Sequence, residues 1–164
     1  MAYRIYVITA NTARYNGTEK DLSGPALVKT LEQAGYTIAG QQILPDERKV
    51  LADSMKAICD KNAADIIITT GGTGFNPEDC APEATLDILE RLTPGIPEAM
   101  RAHAMQTSPL GVLTRAVAGI RRKTLIVNLP GSPKACMESM DAFLDTIPHG
   151  LELLRGTVAD CARP

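Results

Sequence analysis

The sequence predicts a three-layer α/β/α sandwich built on a mainly parallel or mixed sheet, and three observations predict it. Short β-branched runs alternate with segments whose apolar residues recur every three to four positions. Those runs, such as Ile66-Ile67-Ile68, are apolar throughout, the pattern of a strand covered on both faces. Helical crossovers between them return the chain in one direction, which aligns the strands in parallel.

Arg4-Ile5-Tyr6-Val7-Ile8-Thr9 reads as the first strand. After a polar loop, Leu27, Val28, Leu31 and Ala34 mark a helix, with Ser23 as its N-cap, Pro25 in its first turn and Gly35 as its left-handed stop. A second strand covers 37–44, and Leu51, Met55 and Ile58 share one face of the helix that follows Glu47. The next strand is Ala64-Asp65-Ile66-Ile67-Ile68-Thr69. Beyond a glycine-rich segment, Pro82 opens a helix carrying Leu86, Ile88, Leu89 and Leu92, which Pro94-Gly95 interrupts before another helix over 98–105. Residues 107–119 read as a turn and a short strand. Thr124-Leu125-Ile126-Val127-Asn128-Leu129 is the clearest remaining strand, and Ser132 caps a helix with Pro133 at its first position. Met137, Met140, Phe143, Leu144 and Ile147 form an apolar helical stripe of core character. Pro148 starts the last helix, and 155–164 reads as a frayed tail of what is otherwise one domain over 1–164.

Composition narrows the function classes. Seventeen Lys+Arg against 19 Asp+Glu leave a net charge of -2, and only 4% of residues are aromatic, so neither a basic nucleic-acid surface nor a base-stacking platform is encoded. No apolar run approaches the roughly 20 residues of a membrane span. The N-terminus lacks the basic, apolar and small-residue pattern of a secretory leader, so the expected location is the cytoplasm. Cys59, Cys80, Cys136 and Cys161 are widely spaced without a Cys-x-x-Cys pair, and His103 and His149 are the two histidines, which argues against a zinc site or a disulfide framework. His103 has no Ser or Cys in a nucleophile setting beside it.

Ligands of open α/β sheets bind beyond the carboxyl ends of the strands, so the informative segments are 11–22, 45–47, 71–81 and 130–133. Thr69-Thr70-Gly71-Gly72-Thr73-Gly74 joins a strand to a helix, a context in which bare amides and hydroxyls can wrap a phosphate, although the same turn can serve only as a tight connection. Its spacing fits neither a Walker loop nor a dinucleotide fingerprint. Asp46 and Asp79 lie in two of these segments. Two carboxylates beside a phosphate cradle imply Mg²⁺, which takes one or two protein carboxylates and shares oxygens with substrate phosphates. Asp46 has an equally good structural reading as the cap of the following helix. Arg115, Arg121, Arg122 and Lys123 cluster as donors for an anion or as a solvated surface.

These motifs resemble the molybdopterin-binding proteins of molybdenum cofactor biosynthesis, in particular the short single-domain MogA and MoaB group. The likeness rests on Thr69 to Gly74 with Asp79 and Pro82-Glu83-Ala84-Thr85, on Pro45-Asp46-Glu47, and on Asn128-Leu129-Pro130-Gly131-Ser132-Pro133. Asp21-Leu22-Ser23-Gly24-Pro25 and Arg115 to Arg121 also look like family segments. The resemblance implies a molybdopterin-binding fold, a homotrimer or hexamer, and Mg-dependent transfer of adenylate from ATP to the terminal phosphate of molybdopterin with release of pyrophosphate. It implies Asp46 and Asp79 as catalytic and metal-binding residues. Thr70, Gly71, Gly72, Thr73, Gly74, Pro130, Gly131, Ser132, Asn11 and Thr12 are then substrate-binding, and a contact with the pathway's metal-insertion protein follows.

Where the family usually has Ser-Asp this chain has Asn11-Thr12, and Glu78 stands where an Arg often precedes the second Asp. Two other readings therefore stay open: a non-catalytic molybdopterin-binding or carrier protein of the MoaB type, and a relative of competence-damage-type nucleotide hydrolases. Use of molybdenum or of tungsten is equally open.

Overall fold

A computed structural model describes residues 3–157. Its sheet has six strands in the order β2-β1-β3-β6-β5-β4, with β1 at Arg4–Ala10, β2 at Thr37–Leu44, β3 at Ile66–Thr70, β4 at Arg91–Leu92, β5 at Ala118–Arg121 and β6 at Thr124–Leu129. The first four in that order are parallel, whereas β5 and β4 continue the sheet antiparallel. The sheet is therefore mixed at one edge. The helices are α1 at Thr12–Tyr15, α2 at Ser23–Gln33, α3 at Arg48–Asp60, α4 at Ala81–Leu86, α5 at Gly95–Thr107, α6 at Pro133–Asp141 and α7 at Ile147–Arg155.

Strand side chains alternate between two cores, which is how fully apolar strands become the middle layer of three. Ile5, Val7, Ile66, Ile68, Leu125 and Val127 face α2, α5, α6 and α7, packing on Leu27, Leu31, Met100, Met140 and Ile147. Ile8, Ile67 and Ile126 point the other way, against Leu51, Met55 and Ile58 of α3 and Ala84 of α4. None of the helices among the described residues is long and apolar enough to cross a membrane.

Several expected details change. Ser23 begins α2 but does not cap it; Leu22 holds the N-cap position, and Asp21 just before it supplies the side-chain acceptor, its Oδ1 taking the Gly24 amide at 3.1 Å. The helix after Pro82 stops at Leu86, and Leu92 is exposed on β4, because Arg91 and Leu92 pair with Ile120 and Gly119. Pro94-Gly95 opens α5 rather than ending its predecessor. The stripe from Met137 to Ile147 is divided between α6, a 3-10 turn at Leu144–Thr146 and α7, while Met140, Phe143 and Ile147 remain buried. Ser132 caps α6 as expected, accepting from the Ala135 amide at 3.1 Å. Of the predicted tail, Arg155 closes α7 and Gly156 is its left-handed C-cap; 158–164 lie outside the described residues, as does Cys161.

Candidate active site

Parallel pairing brings the carboxyl ends of β1, β3 and β6 to one rim, with Thr9 opposite Thr70 and Thr70 opposite Leu129. The chain leaves β3 through Gly71 at φ +99°, a conformation that costs glycine little, and a Cβ there would collide with the Ala10 carbonyl oxygen. The Gly71 amide donates to the Leu129 carbonyl at 3.1 Å, and the buried Thr70 hydroxyl donates to the Pro130 carbonyl at 2.7 Å. The two loops expected to bind ligand are thus fastened to each other. Among the described residues, the amides of Gly72, Thr73, Gly131 and Ser132 have no hydrogen-bond acceptor, leaving four donors on these loops.

Asp46 reaches the rim from the end of β2. Its Oδ2 accepts from the Thr12 amide at 2.9 Å and lies 3.3 Å from the Thr12 hydroxyl, which in turn accepts from the Asp46 amide at 2.9 Å. Asp46 does not cap α3, whose N-cap is Glu47 without a side-chain bond. Its Oδ1 is buried and lacks a hydrogen-bond partner, 3.0 Å from where a Gly72 Cβ would stand. Asp79 closes the loop from the other side, accepting from the Gly74 amide through Oδ2 at 2.8 Å. Both aspartates therefore touch the glycine turn. Cys80 senses the gathering of charge: burial pushes its thiol pKa up, and the carboxylates of Asp46, Glu83 and Asp79 push it further.

Beside the turn opens a cavity of about 640 Å³. Asn11, Arg14, Gly71, Gly72, Thr73, Gly74, Asp79, Pro130, Gly131 and Ser132 line it, and Met100, Leu110 and Leu113 bring an apolar wall from α5 and the 3-10 turn Pro109–Leu113. Asp46, Thr12 and Thr70 are not in the cavity wall: Asp46 and Thr12 hold each other, and Thr70 holds the Pro130 carbonyl. Asn11 caps α1, accepting from the Arg14 amide at 2.8 Å. Glu78 is exposed and outside the cavity wall.

Arg115 separates from the basic cluster. Its amide donates to the Thr73 carbonyl at 2.8 Å, Nε to the Gly74 carbonyl at 2.7 Å and Nη2 to the Asp79 carbonyl at 2.8 Å, while Nη1 pairs with Glu83. Burial works against the Glu83 carboxylate, but Arg115 outweighs it and holds its pKa below the usual value. Arg121 and Arg122 instead share Asp60 at 2.9 and 3.0 Å, a surface staple away from the loops. The sequence reading overlooked Arg14, the single Lys or Arg among the described cavity residues. Its only local signal was a basic residue in the loop after the first strand.

An α/β sheet ending in two linked, amide-rich glycine loops beside a half-apolar cavity is the architecture of a small-molecule-binding domain. The chain belongs to the probable molybdopterin binding domain family, whose model matches residues 6–149. It is 36% identical over 156 residues to the molybdopterin adenylyltransferase of Helicobacter pylori strain J99, covering 93% of this chain and 88% of that protein. With the molybdopterin adenylyltransferase of Escherichia coli K12 it shares 30% identity over 173 residues, 97% of this chain and 89% of the other. The crystal structure of the molybdopterin biosynthesis enzyme MoaB from Thermus thermophilus superposes with a TM-score of 0.88 at 37% identity, covering 94% of this chain and 97% of that one.

Proposed function

We propose that the protein is a molybdopterin adenylyltransferase, transferring adenylate from ATP to the terminal phosphate of molybdopterin. The observation that carries this reading is the buried, unpartnered Asp46 Oδ1 facing the glycine turn, on whose other side Asp79 is bonded. The relatives named molybdopterin adenylyltransferase support it over nearly the whole chain.

In the reaction an oxygen of the pterin phosphate forms a bond to the α-phosphorus of ATP as the bond from that phosphorus to the bridging oxygen breaks, and pyrophosphate leaves with the electron pair. The protein needs no covalent intermediate; it must align two polyanions and offset their repulsion. The free amides of Gly72, Thr73, Gly131 and Ser132 are preorganised donors for phosphoryl oxygens. Asp46 and Asp79 would hold Mg²⁺, an assignment that suits an orphaned carboxylate oxygen and a second carboxylate bonded to the same glycine turn. Bound there, the ion would neutralise phosphate charge and polarise the scissile bond. The 640 Å³ cavity, with Met100, Leu110 and Leu113 along one side, suits the pterin rings.

The same reading takes the working form as a homotrimer in the cytoplasm. Light scattering after gel filtration checks the mass. The decisive experiment incubates the purified protein with molybdopterin, ATP and Mg²⁺ and looks for adenylylated pterin and pyrophosphate. Absence of both from a preparation that binds molybdopterin would overturn the enzymatic reading.

A further inference from the structure

We propose that Arg14 is the residue that selects for a phosphorylated ligand, its guanidinium gripping a phosphate group inside the cavity. This rests on the adenylyltransferase reading for the identity of the ligand but not for the chemistry of the grip. Arg14 lies in α1, immediately after β1, and its side chain lines the cavity shared by both glycine loops. The guanidinium is anchored on one side only: Nη1 donates to the Ser23 hydroxyl at 2.9 Å and stands 3.5 Å from Asp21 Oδ1. Nε is buried with no partner, and Nη2 donates to nothing among the described residues. Nε and Nη2 form one edge of the planar fork, the edge that meets two oxygens of a phosphate or carboxylate side by side.

Asp21 does not use up this cation. Its Oδ2 accepts from the Thr9 hydroxyl at 2.7 Å, and its Oδ1 from the Gly24 amide at 3.1 Å and the Ser23 hydroxyl at 3.3 Å. The carboxylate is therefore satisfied largely by neutral donors, and it fixes the orientation of Arg14 while leaving the Nε–Nη2 edge unpartnered. The remaining charged residues lining the cavity are the carboxylates Asp79 and Glu138, which repel an anion. Among the described lining residues, Arg14 alone supplies positive charge, and an arginine with an unsatisfied donor edge favours a phosphate ester over its free alcohol.

Calorimetric titration of the full-length protein with 6-hydroxymethylpterin, its phosphate monoester and inorganic pyrophosphate tests this. Wild type should prefer the phosphate ester over the alcohol by about tenfold or more, the scale of hydrogen bonds to charged groups. Arg14→Met should abolish that preference and weaken pyrophosphate equally, while leaving affinity for the alcohol unchanged. Arg14→Lys keeps a cation opposite Asp21 but lacks the two-donor edge, so it should lose most of the preference and carries the test if Arg14→Met does not fold. A wild type without phosphate preference, or an Arg14→Lys variant with the full wild-type preference, overturns the proposal. If the preference is present and lost as expected but wild type makes no adenylylated pterin, the enzymatic reading fails and the role of Arg14 stands.

Discussion

The guanidinium of Arg115 donates through Nη2 to the main-chain carbonyl of Asp79 at 2.8 Å, across 36 positions of sequence. Nε also donates to the Gly74 carbonyl and the Arg115 main-chain amide to the Thr73 carbonyl, so Arg115 braces the glycine turn rather than standing as a surface charge. A planar fork reaching separate acceptors cannot be reproduced by an ammonium group. Arg115→Lys should lower kcat for adenylation about a hundredfold, the cost of roughly 1 Å of misplacement, with a smaller change in KM. Steady-state kinetics check it; a rise in KM alone would mean that the brace serves binding.

Asp46 carries a buried oxygen that nothing satisfies. Asp46→Asn should cut adenylation about a hundredfold or more, because it removes a carboxylate that would hold Mg²⁺ against the reacting phosphates. The same change keeps the Thr12 bonds and leaves an uncharged unpaired group in place of the orphaned oxygen, so stability should change by no more than about 1 kcal/mol. Urea unfolding decides this, and a marked loss of stability would assign Asp46 to the fold.

Gly71 and Gly17 both have positive φ, at +99° and +76°, but only Gly71 has backbone where a Cβ would go. Gly17→Ala should cost about 1 kcal/mol from conformation alone, whereas Gly71→Ala adds a collision with Ala10 and should cost about 3 kcal/mol. Parallel chemical denaturation of the two variants measures the difference; equal losses would mean that the rim relaxes to admit a methyl group.

Asp65 ties the amino end of β1 to α7, with Arg4 at 3.1 Å and Arg155 at 2.8 Å. Burial disfavours its ionised form, but the Arg4 side chain and amide and the Arg155 guanidinium prevail, lowering its pKa below the ordinary aspartate value of 3.8. A carboxylate with a depressed folded pKa contributes stability that is present above its unfolded pKa and lost as pH falls through the folded value. Asp65→Asn should therefore destabilise the protein at pH 7, and the gap to wild type should close progressively below about pH 3.8. Melting curves across that range test the sign; a gap that widens in acid would refute the pairing.

Local pattern reached far into this protein. The strands Thr37–Leu44 and Thr124–Leu129 were legible because β-branched runs bounded by turn residues have few alternatives, and the Ser132-Pro133 helix start because cap chemistry is local. The two-residue β4 was not, since Arg91 and Leu92 are exposed and extend only because β5 offers its edge. The Asp21 acceptor was missed because Ser23 sits closer to the apolar stripe and carries an equally suitable oxygen.

By itself the sequence determined the alternation of strand and helix, the glycines at the turn and the two aspartates placed after strands, because each depends on neighbours within a few positions. Tertiary structure alone decided that Asp46 would hold Thr12, that Arg115 rather than Arg121 or Arg122 would meet the glycine turn, and that Arg14 would face the cavity with an open edge. Those meetings join residues brought together by the parallel register of β2, β1, β3 and β6, and a register is set by the packing of whole strands, which no single residue encodes.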